Sequence, residues 1–219
     1  MASAKYPRTP HLPWSPGASG TDKRLVDVAH LLDRDLVLTE KLDGSNLTMT
    51  REAVFARSHE GAPRHESFNH AKALHARLRH RIAAGWSVFG EYVFAVHSIR
   101  YTKRMPSCFF VFGVRDDRSD RWFAWDEVKL VAEDFDLPHV TELMVAEFGD
   151  EQTLAATTSA LGREPSAYGP TREGVVARIA EDFAGSDFHL SLAKWVRAGH
   201  VQTTEHWTRG PVVRNPCET

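Results

Sequence analysis

One lysine lies in a short polar segment between two predicted strands, in the sequence Glu40-Lys41-Leu42-Asp43-Gly44. A lysine attacks an electrophile only as the neutral amine, and burial or a nearby cation lowers its pKa enough to provide that form. Gly44 permits a sharp turn or a close approach of the backbone to a ligand. The segment therefore indicates a nucleophilic lysine held in a turn, although such a short pattern is by itself often a chance match.

Further motifs follow Lys41 in a fixed order. They are Ala56-Arg57-Ser58, Phe89-Gly90-Glu91-Tyr92, Phe109-Phe110-Val111-Phe112-Gly113, Glu173-Gly174-Val175-Val176 and Leu192-Ala193-Lys194-Trp195. Glu91 lies inside an apolar strand, where a carboxylate is costly to bury without a partner. Glu173 precedes an apolar strand and could bind a divalent cation that offsets phosphate charge. Structural interpretations stay open: a salt bridge for Glu91, a turn for Glu173 and an exposed strand end for Lys194.

The order of these motifs resembles that of the covalent nucleotidyltransferase superfamily, which contains ATP-dependent ligases and mRNA capping enzymes. The tract from Gly90 through His97-Ser98-Ile99 to Tyr101 is similar to the RNA ligase branch. The resemblance spans about residues 36–207. It implies ATP as the nucleotide, a divalent metal (Mg or Mn), and a lysyl-AMP intermediate.

The resemblance also implies a role for each motif residue. Lys41, Lys194 and Glu173 would be catalytic, with Lys41 adenylated and Lys194 at the α-phosphate, where its charge would also lower the pKa of Lys41. Glu173 and Asp43 would bind the metal. The implied nucleotide-binding residues are Glu40, Leu42, Asn46, Arg57, Glu91, Phe112, Val176 and Lys194. Within this set Glu91 would bind the ribose and Phe112 would stack on adenine, a role for which Phe109 and Phe110 compete.

Some positions depart from the family pattern. Val196 stands where a second lysine is common, and Gly113 stands where an aspartate often follows the aromatic residue. About 25 residues follow Lys194, which is too few for an OB-fold, so we expect a small bacterial-type RNA ligase reduced to its catalytic domain. Two terminal tracts, Arg8 to Pro13 and Gly199 to Trp207, also resemble small bacterial RNA ligases. They either pack on the core or supply a phosphate contact from Arg8, His11 or Arg197.

The elements that must position these residues are mostly strands joined by short turns, which favours an α+β class. The fold expected is a nucleotidyltransferase (adenylyltransferase) domain of largely antiparallel sheets with flanking helices, an ATP-grasp-like ligase core. Apolar patterns predict strands at 36–39, 47–50, 53–56, 87–96, 108–114, 121–124, 173–179 and 190–196. Helical periodicity predicts helices at 22–32, 67–84, 125–134 and 151–161. We divide the chain into a proline-rich arm (1–21), the nucleotidyltransferase domain (22–198) and a short tail packed on the core (199–219).

Composition excludes several classes. The chain has 219 residues, 42% of them hydrophobic, and a net charge of −2. This is globular composition without the bulk positive charge of many nucleic-acid-binding proteins, and no apolar run is long enough for a membrane span. Twelve histidines show no metal-ligand spacing. Cys108 and Cys217 form no CxxC pair, so we expect no disulfide and a cytoplasmic location.

Any polyanion site must therefore be a local patch. The candidate RNA-binding residues are Arg77, Arg81, Arg100, Lys103 and Arg197, for which a solvated basic surface is the alternative. We predict a monomeric ATP-dependent RNA ligase that joins RNA with 5′-phosphate and 3′-hydroxyl ends, and leave open a partner protein of RNA repair. Another polynucleotide ligase, a capping-type nucleotidyltransferase and a catalytically inactive nucleotide- or RNA-binding module are the alternatives.

Overall fold

The computed structural model describes residues 5–58, 61–199 and 212–218. Within these ranges the chain forms ten strands and four α-helices. The strands are β1 (Asp35–Lys41), β2 (Ser45–Met49), β3 (Val54–Ala56), β4 (Trp86–Tyr92), β5 (Phe109–Asp116), β6 (Arg121–Trp122), β7 (Glu142–Glu147), β8 (Gly174–Ile179), β9 (Phe183–Ala184) and β10 (Leu192–Val196). The helices are α1 (Asn69–Leu78), α2 (Trp125–Asp134), α3 (Glu151–Arg163) and α4 (Phe188–Ser191).

The described strands form two antiparallel sheets. The first has the order β10-β8-β1-β7 and the second has the order β3-β2-β4-β5-β6-β9. Every strand pair in both sheets is antiparallel. The predicted α+β class with largely antiparallel sheets is confirmed.

The alternation of side chains along β1 and β8 decides what each face of the first sheet carries. Leu36 and Leu38 lie opposite Ile179 and Ala177, and all four are buried in one apolar cluster with Leu154 of α3. The intervening residues project from the other face, towards the second sheet. That second face carries Lys41, so the nucleophile predicted from the sequence lies between the two sheets.

Some elements differ from the sequence-based expectation. The helix predicted at 22–32 is wrong, and a single 3₁₀ turn, Ala29–Leu31, forms there. The reason is that the backbone of Lys23 and Leu25 hydrogen-bonds to His11 instead (2.7 and 2.8 Å). The long helix predicted at 67–84 is shorter, a 3₁₀ turn followed by α1.

Several strand assignments differ as well. The strand predicted at 87–96 ends at Tyr92, and the two-residue strand β9 was not predicted. The strand predicted at 190–196 begins as α4 and becomes β10 only at Leu192. The edge strand β7 was not predicted. It lacks the apolar pattern of a buried strand because it is half exposed, and its register with β1 is what places it in the sheet.

The arm and the described part of the tail both pack on the core. Leu12 is fully buried, and its N–H donates to the carbonyl of Lys194 (2.8 Å). The tail prediction covers 199–219, of which 200–211 and 219 lie outside the described residues. In the remainder, the Asn215 side chain donates to the carbonyls of Val93 and Ala95 (2.8 and 3.2 Å).

A disulfide joins Cys108 to Cys217, so the expectation of unpaired cysteines is wrong. The two residues are 109 positions apart. The tail segment around Cys217 runs beside Met105, whose N–H donates to the Pro216 carbonyl (2.8 Å), and this brings the two sulfurs together. In the described part of the chain, no helix has the length and apolar character needed to cross a membrane.

Candidate active site

A cavity of about 620 Å³ lies between the two sheets. All residues for which a catalytic, nucleotide or metal role was predicted line it: Glu40, Lys41, Leu42, Asp43, Asn46, Arg57, Glu91, Phe112, Glu173, Val176 and Lys194. The five predicted RNA-binding residues do not line it. The folded chain thus assembles motifs from positions 40 to 194 around one space and leaves the basic residues outside.

Three neighbouring strands bring the two lysines to one face. Thr39 lies opposite Val176, and Val176 lies opposite Lys194. Because side chains two residues apart share a face, Lys41 projects on the same side as these residues. The cavity face of the first sheet therefore carries two lysines on either side of a valine.

Lys41 forms an ion pair in this structure. Its Nζ donates to Oε2 of Glu173 at 2.7 Å, with the Glu173 side chain 5% exposed and that of Lys41 24% exposed. Burial lowers the pKa of Lys41, but the charges of Glu173 and Glu91 outweigh this effect, so the net pKa is raised. The expectation that Lys194 lowers the pKa of Lys41 is therefore wrong for the ligand-free protein, because two carboxylates face the ammonium.

The lowered pKa belongs to Lys194. Burial, followed by repulsion from Lys41, lowers the pKa of Lys194 to about 8. His11 lies beside it, because the arm backbone pairs with β10 at this point. Burial and the charge of Lys194 lower the pKa of His11 to about 4, so this imidazole is neutral at pH 7. Its Nδ1 shares a hydrogen bond with Ser15 Oγ (2.9 Å).

The opposite wall of the cavity carries Glu91 and Asn46, which are cross-strand neighbours in the second sheet. The Gly44 N–H donates to Glu91 Oε1 at 3.1 Å. Burial, together with repulsion from Glu173 and Asp43, raises the pKa of Glu91 to about 8 despite the attraction of Lys41. Asn46 Oδ1 is buried and has no hydrogen-bond partner among the described residues. A buried oxygen without a partner, in a cavity wall, fits a ligand that donates a hydrogen bond.

Gly44 is required by close backbone packing. A Cβ at this position would lie 2.6 Å from the carbonyl oxygen of Tyr92, and the φ angle of Gly44 is not the constraint. The close approach predicted for this glycine is therefore an approach to the neighbouring strand β4. It is what allows the Gly44 N–H to reach Glu91.

The contacts of Asp43 do not support its predicted metal role. Its Oδ2 accepts hydrogen bonds from the Ser98 N–H, the Ser98 hydroxyl and the Ile99 N–H at 2.8, 2.9 and 2.6 Å. Its own N–H donates to the hydroxyl of Tyr101 (2.7 Å). These contacts tie the lysine turn to the segment that follows β4, so they favour a positioning role for Asp43.

The contacts of the Glu40 side chain do not support its predicted role in nucleotide binding. It borders the cavity, but it projects from the opposite face of β1 to Lys41. Its Oε2 accepts from the N–H of Ala167 (3.0 Å) and lies 3.9 Å from Nε of Arg172. The side chain therefore contacts the segment that leads into Glu173.

A β-bulge decides which of three phenylalanines reaches the cavity. Gly90 pairs with Val111 and Phe89 pairs with Gly113, so Phe112 has no opposite partner. Phe109 and Phe110 are fully buried, whereas Phe112 is partly exposed in the cavity wall. The predicted stacking residue is thus the one that the bulge places there.

The predicted RNA-binding residues differ in their surroundings. Arg77, Arg100 and Lys103 are exposed. Arg81 pairs with Asp134 (3.6 Å) and Asp136 (3.1 Å), which offsets its charge. Arg197 is partly buried, and its Nε has no hydrogen-bond partner in the described ranges. The first three are therefore the better candidates for contacts with phosphate.

Several cavity residues were not predicted from the sequence, among them Tyr6 and Arg178. Arg178 is buried and donates to the carbonyls of Phe112 and Phe123 (3.2 and 2.9 Å). The available signal was a charged residue in the middle of the apolar strand β8. Because Arg178 lies two residues after Val176, strand alternation could have placed both side chains on the cavity face. No comparable pattern marks Tyr6, because it lies in an irregular arm.

The carboxylates fit a divalent cation that is only partly held by protein. No group of three metal-ligating side chains occurs in the part of the chain that the structure describes. Magnesium is typically bound by one or two carboxylates together with phosphates of a substrate. Burial is the main cause of the raised pKa of Glu91, and repulsion from Glu173 and Asp43 adds to it, so a cation beside these carboxylates would offset their charge. Glu173 is the residue best placed to hold it.

The fold is similar to that of solved RNA ligases. Naegleria gruberi RNA ligase with PPi superposes with a TM-score of 0.58 at 18% identity, over 86% of this chain and 58% of that one. An archaeal ATP-dependent RNA ligase (form 2) gives a TM-score of 0.56 at 17% identity, over 87% and 48%. This chain thus spans about half the length of these solved proteins. No curated protein is similar enough in sequence to count as a relative.

The family model for RNA ligase matches residues 34–196, a range that begins just before β1 and ends with β10. It includes Lys41, Glu91, Glu173 and Lys194. Since this match covers well over half of the chain and the fold agrees, the protein belongs to the RNA ligase family.

Proposed function

We propose that this protein is an ATP-dependent RNA ligase that adenylates Lys41, transfers AMP to an RNA 5′-phosphate and seals that end to a 3′-hydroxyl. The observation that carries the proposal is the ion pair between Lys41 and Glu173 inside a cavity that also contains Lys194, Glu91 and Asn46. The fold neighbours include Naegleria gruberi RNA ligase mutants with ATP and Mn, or with AMP and Mn.

In the first step, Lys41 Nζ attacks the α-phosphorus of ATP. A P–N bond forms, the bond to the bridging oxygen breaks, and pyrophosphate leaves with its electron pair. Lys41 must first lose a proton and its ion pair with Glu173, because the ammonium has no lone pair to donate. Glu173 would hold a divalent cation (Mg or Mn), which when bound supplies positive charge that offsets the phosphates. The cation Lys194 would lie at the α-phosphate, where negative charge develops.

The remaining wall residues would bind the nucleoside. Glu91 would accept hydrogen bonds from the ribose hydroxyls, with its position fixed by the Gly44 N–H. Phe112 and Val176 would pack against the base, since they line the cavity from the two different sheets. Asn46 Oδ1, which has no partner in the described part of the protein, would accept from the nucleotide. Arg57 is exposed at the cavity, where it could reach a phosphate of ATP or RNA.

In the later steps the RNA 5′-phosphate attacks the lysyl-AMP, and Lys41 leaves as the amine. The 3′-hydroxyl then attacks the activated phosphate, a phosphodiester bond forms, and AMP is released. The exposed cations Arg77, Arg100 and Lys103 would hold the RNA backbone electrostatically. We propose that the protein acts as a monomer, with or without a repair partner. The cytoplasmic location was expected from unpaired cysteines and loses that support, because Cys108 and Cys217 are joined.

The test is the mass of the intact protein after incubation with ATP and Mg or Mn. We expect one added AMP in the parent protein, none in Lys41→Ala, and normal addition in Lys129→Ala, a control whose lysine pairs with Asp126 at the surface (2.8 Å). An adduct that survives Lys41→Ala or maps to another lysine would refute the assignment. An adduct formed with GTP and not with ATP would favour a capping-type enzyme. ATP binding that gives no adduct would favour an inactive module.

A panel of nicked duplexes and single strands then tests the polynucleotide. We expect sealing when the 5′-phosphate is on RNA. Preferential sealing of DNA nicks would instead identify another polynucleotide ligase.

A further inference from the structure

The arm residue Tyr6 lies within an aromatic cluster at the wall of the cavity. Its ring centroid is 5.0 Å from that of Phe112, 5.2 Å from Phe89, 5.3 Å from Phe188 and 5.6 Å from Trp122. The contacts with Phe112, Trp122 and Phe188 are edge-to-face, a favourable arrangement of aromatic rings. Tyr6 thus connects the proposed base-stacking residue with rings of β4, β6 and α4.

The arm that carries Tyr6 is a fixed part of the core. The Lys194 N–H donates to the carbonyl of Pro10 (2.9 Å), the Leu12 N–H donates to the carbonyl of Lys194 (2.8 Å), and Leu12 is fully buried. The Tyr6 hydroxyl is hydrogen-bonded by the side chain of Thr9. A cavity of about 620 Å³ remains with Tyr6 in place. The Tyr6 ring therefore forms part of the cavity wall and leaves room for a nucleotide beside it.

The backbone position of Phe112 leaves its ring without support from the neighbouring strand. It lies in the β-bulge of β5 and lacks the cross-strand neighbour that would otherwise restrict its ring. Tyr6 contacts that ring from a segment more than one hundred residues earlier in the chain. The orientation of Phe112 therefore depends on the arm as well as on the sheet.

We propose that Tyr6 is a positioning residue that holds the Phe112 ring in the orientation needed to stack on the base of ATP, which makes the arm part of the nucleotide site. This inference rests on the proposed function. It concerns the affinity for ATP and not the chemical step, because the ion pair of Lys41 is made by Glu173 and the ring of Tyr6 packs on Phe112.

The experiment compares Tyr6→Leu and Tyr6→Phe with the parent protein. It measures the ATP dissociation constant by calorimetry, the KM for ATP and the maximal rate of lysyl-AMP formation, and the Tm. We expect Tyr6→Leu to raise the dissociation constant and the KM about tenfold, equivalent to about 1.4 kcal/mol, with a maximal rate within about twofold of the parent. Tyr6→Phe keeps the ring and should restore nearly parental affinity.

Trp14→Leu is the matched control, because it removes another aromatic side chain from the same arm. Trp14 donates to Thr158 Oγ1 (2.9 Å) and does not line the cavity. We expect it to lower the Tm and leave the ATP affinity unchanged. A double variant, Tyr6→Leu with Phe112→Leu, should bind ATP no more weakly than Phe112→Leu alone, since both changes remove the same contact with the base.

An unchanged ATP affinity in Tyr6→Leu would overturn the inference. A tighter affinity would also overturn it and would identify Tyr6 as a plug. The proposed function fails separately: a parent protein that binds ATP without forming lysyl-AMP refutes the ligase mechanism, while the affinity comparison still tests Tyr6. A parent protein that does not bind ATP refutes both.

Discussion

Replacing Glu173 with glutamine separates two effects of one carboxylate: the ion pair with Lys41, which the structure shows, and the binding of a cation, which we propose. Glu173→Gln keeps the shape of the side chain and removes the charge that accepts Lys41 Nζ at 2.7 Å. Glu173 is the largest charge contribution that raises the pKa of Lys41. We therefore expect the pKa of Lys41 to fall in this variant, although Glu91 still attracts the ammonium.

The magnitudes follow from burial. Removing one partner of a buried ion pair typically costs about 3–5 kcal/mol of stability. We expect about 2–3 kcal/mol here, because the Lys41 side chain is 24% exposed and its charge can be solvated. If Glu173 also holds the cation, the rate of lysyl-AMP formation should fall about 10²- to 10³-fold, the usual loss for one electrostatic contact at a reacting phosphate.

Three assays measure these quantities. Denaturant unfolding gives the change in stability, and competitive acetylation of Lys41 as a function of pH, without ATP or metal, gives its pKa. Single-turnover adenylation over a titration of Mg or Mn gives the rate. Glu164→Gln is the control. Like Glu173, Glu164 is a carboxylate in an ion pair, here with Arg172 (3.6 Å), but it is exposed.

Two results would refute the reasoning. If the acetylation profile of Lys41 keeps its midpoint or moves to higher pH, the ion pair does not set the protonation of Lys41. If Glu173→Gln adenylates within a few-fold of the parent across the metal titration, Glu173 does not hold the cation. Glu164→Gln should reproduce the parent in both assays.

Three other outcomes are expected. The pKa of Glu91 is about 8 in the folded protein, against an ordinary value of 4.5. Because the folded state binds this proton more tightly, the free energy of unfolding decreases as the pH rises between these values. Glu91→Gln should remove this pH dependence of the free energy of unfolding, which is at most about 1.4 kcal/mol per pH unit. Denaturation experiments over this pH range measure it, and an unchanged slope in the variant would contradict the expectation. Combined Arg77→Glu and Lys103→Glu changes should weaken RNA binding and flatten its salt dependence by about 0.7 per lost phosphate contact, with lysyl-AMP formation intact; an unchanged salt slope would mean that these cations are only solvated. Reduction of the disulfide should lower the free energy of unfolding by about 2–4 kcal/mol, and equal stability with and without reductant would show that the link is not formed.

Local sequence was sufficient where the physical cause is local. The apolar periodicity from Trp125 to Asp134 predicts α2 with both ends correct. Strand β5 shows as an unbroken apolar run, because it is buried on both faces. The segment 22–32 has a similar helical pattern, yet it is mostly irregular, because hydrogen bonds to His11 replace those of a helix. Such a bond between two irregular segments leaves no periodic signal.

The same limit applies to the pairing of the cysteines. Cys108 lies directly before β5 and Cys217 in the tail, and no spacing rule links residues 109 positions apart. Their proximity follows from the course of the tail along Met105. Composition therefore indicated two free thiols where the folded chain has one disulfide.

The sequence by itself indicated the family, the antiparallel α+β class and part of the set of side chains around the cavity. It could do so because the motifs around Lys41, Glu91, Glu173 and Lys194 occur in an order that resembles the family, and because short strands with apolar patterns follow one another along the chain. Only the tertiary structure decided how these groups behave. The protonation of Lys41 depends on a carboxylate 132 residues away, the position of Phe112 in the cavity wall depends on a bulge in strand pairing, and the packing of its ring depends on Tyr6 of the arm. Charge interaction and ring packing act through distances between atoms, and those distances are set by register and packing between segments far apart in the chain.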